Sequence, residues 1–323
     1  MALLKIHSGD LARATVTARE PHRQSRYTPL LAMRLLVLLA GLTGLPLLAA
    51  DADRPKLIDA HVHYNGDPAF LAKFLAKLES VNGQALLIAA PKDIPAIKEF
   101  TAAHPGRFHG LGQMSLDHPD ALKLVDEFHN AGFRGLGELT GPEYPFDDRR
   151  YWPIYERAEK YGMILLFHTG IVNRRNFAEP MNVSSDRMRV STLDLIARRF
   201  PKLTLIAAHL GNPDYEWAAE IGRWNPNLLF DVSGSTLYKK QADLTFFKSI
   251  FWWDNVVSPH TPKTNVSAFE KLVFGSDVFG GEIAEFDREL DLYRKLLAAC
   301  GVAPASQENI FSGTLAKVLA RQK

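Results

Sequence analysis

The stretch LIDAHVHYNG, residues 57–66, places His61 and His63 one residue apart at the end of an apolar run. In an extended strand, side chains i and i+2 share a face, so both imidazoles point the same way. Such a pair is either two ordinary polar residues at a strand end or half of a metal site, since histidine is the commonest protein metal ligand. Four more side chains with metal-binding chemistry follow other apolar runs: Glu138 in LGELTG, His168 in LLFHTG, His209 in IAAHLG and Asp277 in FGSDVFGG. Each has a plain structural reading when taken singly: a satisfied core histidine, an aspartate capping a turn, a solvated rim glutamate. Together, neutral imidazoles and carboxylates are the donor set that suits a divalent cation, Zn²⁺ first.

Whether the six meet depends on the elements that carry them. From residue 56 onward, short apolar and often β-branched runs alternate with longer amphipathic ones. The runs predict strands at 56–64, 83–91, 107–115, 132–140, 163–170, 203–211, 227–234 and 272–279. Between them stand helical patterns such as AFLAKFLAKLESV and DYEWAAEIGRW, and two more (EFDRELDLYRKLLAAC, NIFSGTLAKVLARQ) follow the last strand. Asp93, Asp117 and Ser185 at helix entries, with Gly132, Gly162 and Pro201 at exits, are the expected end signals. Nearly continuous apolar strands mean a parallel sheet buried on both faces. Eight strand–helix alternations predict an α/β fold of the (β/α)₈, or TIM-barrel, type. An open doubly wound sheet is the competing architecture, weakened because no Gly-rich phosphate loop follows the first strand. In such a barrel the C-terminal strand ends form one rim, and His61, His63, Glu138, His168, His209 and Asp277 all fall on it. His104, His109, His118, His129 and His260 fall in helices, loops or strand starts and read as surface or structural residues. The longest irregular stretch, about residues 255–270, is expected to be a loop over one end of the barrel.

Composition agrees with a large globular domain: 323 residues, 46% hydrophobic and 23% charged. One cysteine, Cys300, excludes an intrachain disulfide and a cysteine-rich zinc site. Residues 34–50, RLLVLLAGLTGLPLLAA, have the layout of a secretory signal: a basic residue, an apolar core and small residues at the cut. The run is short for a membrane span, and no cysteine follows it to carry a lipid. The expected organisation is therefore an extension or mis-assigned start at 1–32, a signal peptide at 33–52 and a single barrel domain at 53–323. The expected location is periplasmic or secreted, without a stable membrane anchor. The whole chain carries a net charge of +2, but residues 1–50 hold six Lys/Arg and two acids, so the remainder is slightly acidic. That argues against a nucleic-acid partner and for a small-molecule substrate. A homo-oligomer is left open.

The HxH of DAHVHY together with His168, His209 and Asp277, each at its own strand end, resembles the amidohydrolase superfamily. The stretches LDLIARRFPKLTLIAAHLGNP and NIFSGTLAKVLA are similar to its amidohydrolase-related (amidohydrolase 2) branch. The resemblance covers nearly all of residues 56–321. It implies His61, His63, His168 and Asp277 as metal ligands, and His209 as a ligand or a substrate-polarising group. Many two-metal members carry a carbamylated lysine on strand four; this chain has Glu138 there. A strand-four Glu is similar to that of TatD-type hydrolases, where it bridges two ions, whereas the single-metal branch generally needs no ligand at this place. One or two ions are thus both open. The branch holds lactonases and other hydrolases, and also decarboxylases of carboxylated rings. The resemblance implies a metal-dependent hydrolase of a small amide, ester or lactone, with Asp277 moving the proton of the attacking water and His209 steadying the developing oxyanion. The alternatives are a decarboxylase of a small aromatic or unsaturated acid and, further off, a metal-binding barrel without catalysis. Arg174 and Arg175, after His168, are candidates for a substrate carboxylate, and Tyr144 for the mouth of the site.

Overall fold

The computed structural model describes residues 54–174, 177–178, 180–254, 266–279 and 281–322. The expected extension and signal peptide, Arg175, His260 and most of the expected 255–270 loop lie outside them. Seven strands form one parallel sheet in sequential order: β1 Leu57–His63, β2 Gly83–Ala89, β3 Phe108–Gly112, β4 Gly135–Leu139, β5 Ile164–Phe167, β6 Thr204–Ala207 and β7 Leu228–Phe230. Around them run α1 Pro68–Ser80, α2 Ile94–Ala103, α3 Ala121–Asn130, α4 Trp152–Lys160, α5 Thr192–Arg199, α6 Tyr215–Trp224, α7 Ser235–Lys240, α8 Phe246–Ile250, α9 Ala284–Cys300, α10 Pro304–Glu308 and α11 Thr314–Arg321. Local chemistry sets the helix ends: Asp67 accepts the Ala69 N–H ahead of Pro68 to start α1, and Gly301, at φ +67°, ends α9. Among the described residues no helix is long and apolar enough to cross a membrane.

The eighth strand expected at 272–279 is not a regular strand. Its residues make only single bridges, Leu272 to Phe230 of β7 and Val278 to Val62 of β1. The reason lies in Gly275–Ser276–Asp277: Asp277 has φ +54°, which no extended strand contains. The segment still closes the ring. Val273 N–H donates to Phe230 O at 2.8 Å, while Ala60 N–H donates to Phe274 O at 2.8 Å and His63 N–H to Val278 O at 2.9 Å. A sheet bonded back to its first strand is a barrel, so the open-sheet alternative falls.

Two apolar layers follow from the strand period of two. Ile58, Leu86, Leu111, Leu166, Ile206 and Val273 fill the interior, and Leu315 of α11 seals it from below. The neighbouring positions, such as Val62, Leu87, Leu136, Leu139, Phe167 and Phe230, face the helices and meet residues such as Phe74, Phe128 and Tyr155. Each fully buried aromatic or aliphatic side chain contributes about 1.5–3 kcal/mol by removal from water.

This alternation breaks at two places. Ile58 and Ala60 belong to the interior set and Val62 to the outer one, and the β1–β2 register shifts between Asp59 and Val62. The irregularity lets Ala60 and then His61 both serve the interior, as a β-bulge does. In β4, Leu136 and Leu139 both face outward, and the register with β5 shifts between them. That shift turns Glu138 inward.

Tyr293 of α9 pins the closure. Its hydroxyl accepts from Val232 N–H (2.8 Å) and Gly275 N–H (3.3 Å) and donates to Val273 O (2.9 Å). Tyr293→Phe strands these buried groups, and each buried unsatisfied group costs about 1–3 kcal/mol. Urea unfolding followed by circular dichroism should show a stability loss of about 2–3 kcal/mol with secondary structure retained. An unchanged midpoint would remove Tyr293 from the closure.

Candidate metal centre

The six rim residues named from the sequence come together. His61 Nε2 lies 3.0 Å from His63 Nε2, and Asp277 Oδ1 lies 3.4 Å from each. For bonds of 2.0–2.1 Å, the ligand atoms of a tetrahedral zinc stand about 3.3 Å apart. The triangle therefore has the edge lengths of a coordination face. Glu138 turns one oxygen to each side. Its Oε2 is 3.9 Å from His61 Nε2 and 3.7 Å from His63 Nε2. Its Oε1 is 2.8 Å from His168 Nδ1 and 3.6 Å from His209 Nε2. Two groups able to hold a cation result, His61–His63–Glu138 and Glu138–His168–His209, sharing the carboxylate.

Backbone irregularity aims several of these side chains. The β1 and β4 register shifts deliver His61 and Glu138. His209 and Asp277 have φ of +62° and +54°, a region that costs a side-chain-bearing residue energy and persists only where the surroundings impose it. His168 follows simple alternation after Ile164 and Leu166. Gly234 leaves the room: a Cβ there would lie 3.0 Å from His209 Nδ1 and 3.5 Å from Asp277 Oδ2.

Sequence reasoning missed Asp231, which follows β7 and is fully buried. Its Oδ2 stands 3.0 Å from His61 Nδ1. Its Oδ1 accepts His209 N–H at 2.9 Å, Ser233 N–H at 3.0 Å and the Ser233 hydroxyl at 2.6 Å. Ser233 Oγ in turn lies 3.1 Å from His209 Nδ1. Asp231 thus orients both imidazoles and leaves their Nε2 atoms for the centre, as outer carboxylates do in metal sites. Its signal was present: an acid in NLLFDVSG, at one of the three expected strand ends for which no site residue was proposed. Asp59 was missed as well. Its Oδ1 accepts from His61 N–H (3.1 Å) and Ser276 N–H (2.9 Å), tying β1 to the closing segment, and burial raises its pKa to about 7.

The electrostatics fit a cation. Burial opposes charge on His61, but Asp277, Asp231 and Glu138 outweigh it and raise its pKa to about 10. Burial likewise pushes the Asp231 carboxyl up, yet the bond from His61 dominates and holds it near 2. Glu138 is also buried, and His168, His209 and His61 hold its pKa well below the ordinary carboxylate range. With the imidazoles neutral, as metal ligation requires, the three carboxylates would leave an excess of negative charge for a cation to balance. In addition, His168 Nε2 is buried without a hydrogen-bond partner. The donor set is compatible with a divalent metal.

Tyr144 is 38% exposed, with the Arg150 guanidinium 3.8 Å over its ring. Arg174 is exposed and donates to Phe177 O at 3.0 Å, beside a hollow of about 190 Å³ that Met181 and Val183 also line. His109 is bonded to Gln84, and His129 stacks on Tyr161 with ring centroids 3.8 Å apart, in keeping with structural roles.

The model of the amidohydrolase family designated Amidohydro_2 matches residues 58–321. The chain belongs to that family. None of the curated proteins matches it. Solved structures similar to this amidohydrolase include an uncharacterised TIM-barrel protein from Bordetella bronchiseptica, at 16% identity and a TM-score of 0.56, covering 82% of this chain and 99% of that one. A candidate 2-pyrone-4,6-dicarboxylic acid hydrolase from Pseudomonas putida is 17% identical with a TM-score of 0.54, covering 83% and 98%. A second such candidate, from Acinetobacter baumannii with citric acid bound, is 13% identical with a TM-score of 0.54, covering 82% and 99%. At these identities the likeness is one of fold.

If Asp231 orients the ligands, Asp231→Asn should weaken zinc affinity about 10–100-fold, the scale of an outer-partner loss. Competition titration with a chromophoric chelator on the folded variant measures it. Wild-type affinity would reduce Asp231 to a packing role.

Proposed function

We propose that this amidohydrolase is an exported, metal-dependent hydrolase that cleaves a small amide, ester or lactone. The observation that carries the reading is the His61–His63–Asp277 triangle with Glu138 turned between it and the His168–His209 pair. A divalent cation held there would supply the Lewis acidity that makes water a nucleophile at neutral pH. His61, His63, Glu138, His168, His209 and Asp277 are the residues that would hold it. Asp277 takes the proton of the attacking water and hands it to the leaving group. Its side chain, 27% exposed, is the most open of the carboxylates at the centre and so faces incoming substrate. His209, fixed through Nδ1 by Ser233, directs Nε2 to the centre and stabilises negative charge developing on the substrate oxygen. Arg174, Arg175 and Tyr144 are proposed to contact the substrate from the loops after β4 and β5.

A cyclic ester with carboxylate groups is the favoured substrate. Two candidate 2-pyrone-4,6-dicarboxylic acid hydrolases share the fold, and one holds citric acid. Export rests on the signal-like run at 34–50. N-terminal sequencing of the protein from its native cell should give a start near residues 50–52; a cytoplasmic product retaining that run would refute export.

Zinc-loaded protein should turn over at least one member of a panel of lactones, amides and esters. Release of CO₂ from aryl carboxylates without any hydrolysis would favour a decarboxylase instead. On the substrate found, Asp277→Asn should lower turnover about 10²-fold or more while the fold persists, the scale of a lost general base. Near-normal turnover by a metal-loaded Asn variant would sink that role.

Two ions would be held here, one by His61, His63 and Asp277 and the other by His168 and His209, with Glu138 a candidate ligand to both. Metal analysis should find two ions in the wild type and one or none in Glu138→Gln. A single ion in both would leave Glu138 outside the coordination sphere.

A further inference from the structure

The metal-binding side chains stand at or beyond the C-terminal ends of their strands. The opposite end of the barrel carries a separate cavity of about 570 Å³, within the range of small-molecule sites. Its walls include the starts of β6 and β7, the turn before the closing segment, and α11. Leu203, Leu229 and Val318 give it apolar surface. Four cations line it: Lys202, Lys271, Lys317 and Arg321. The acid that lines it, Glu270, is already engaged, its Oε1 accepting from Ser306 at 2.7 Å and its Oε2 from Asn309 at 2.9 Å.

Lys271 is the unusual member. It is 8% exposed, and its amino group donates to the backbone carbonyls of Asn225 (2.8 Å) and Pro226 (3.4 Å), with no carboxylate paired to it among the described residues. Those carbonyls follow the last turn of α6, so a capping role explains its position. Capping does not require three further cations around the same hollow. Lysines are rarely buried without an opposite charge, because a buried ammonium is costly to desolvate. Burial here lowers the Lys271 pKa to about 7.

We infer that this cavity is a second binding site, taking a small organic dianion whose flat apolar part lies on Leu203, Leu229 and Val318 and whose charges meet the lysines and Arg321. The site is independent of the metal centre and of the reaction proposed for it. Lys202, Lys317 and Arg321 are exposed side chains and supply attraction and orientation. Lys271, deeper, gains a proton when the anion arrives, since an adjacent negative charge favours its charged form. Among the described residues that line the cavity, the other charged groups are Glu270 on its own turn, Lys202 ahead of β6, and Lys317 and Arg321 on α11.

Two probes separate carboxylate from phosphate ligands: isophthalate and phenyl phosphate, with neutral isophthalamide as control. Calorimetry on the full chain at pH 8 and low salt should show saturable binding of at least one dianion and none of the amide. The variant Lys202→Ala/Lys317→Ala/Arg321→Ala should bind at least 10-fold more weakly, while His61→Asn/His63→Asn, altered only at the metal centre, should bind as the wild type does. Buffers of different ionisation heat should reveal proton uptake on binding, absent in Lys271→Met. No saturable binding, equal binding by the triple variant, or binding abolished in the histidine variant would each overturn the assignment. The triple variant keeps the test decisive even where Lys271→Met fails to fold.

Discussion

One buried contact organises the centre: the Asp231 carboxylate against His61 Nδ1 at 3.0 Å. An imidazole can present a lone pair to a cation at Nε2 only if Nδ1 carries the proton, and a carboxylate at Nδ1 enforces that tautomer. The same carboxylate fixes the His209 backbone and, through Ser233, the His209 ring. Two ligands on β1 and after β6 are thus set by one residue after β7. Gly275 makes room for this, since a Cβ there would lie 2.9 Å from Asp231 Cβ.

That arrangement places negative charge where desolvation makes it expensive. Asp231, Glu138 and Asp277 share a pocket with four imidazoles, and the raised pKa of His61 is the protein's local response. A divalent cation would replace that proton and satisfy the carboxylates together, so metal and fold stabilise one another. The barrel supplies the rigidity this needs. Tyr293 and the bonds of residues 273–278 to β1 and β7 hold the irregular eighth segment, and with it Asp277, against both neighbours.

Much of this was legible in the chain. Alternating apolar runs report parallel strands because a sheet buried on both faces admits little else, and seven of the eight expected strands are regular. The expected strands run past their observed ends, since LLFHTG and IAAHLG stay largely apolar or small beyond Phe167 and Ala207, where the regular strands stop. The eighth failed because periodicity does not register a positive φ at Asp277. Asp231 was passed over because a lone acid after an apolar run looks like any turn residue until its partner, 170 positions earlier, is known.

The order and chemistry of the ligands, two histidines on β1 and one donor after each of four later runs, are properties of the sequence alone, as is the barrel that makes strand ends converge. Their final aim is not. By strict alternation Ala60 and Val62 would share the interior face of β1, and His61 would point outward. Register shifts in β1 and β4, together with the positive φ of His209 and Asp277, turn the donors to the centre. A bulge of this kind depends on how two strands pair and on what packs behind them, and those are long-range interactions that a local pattern of residue types does not contain.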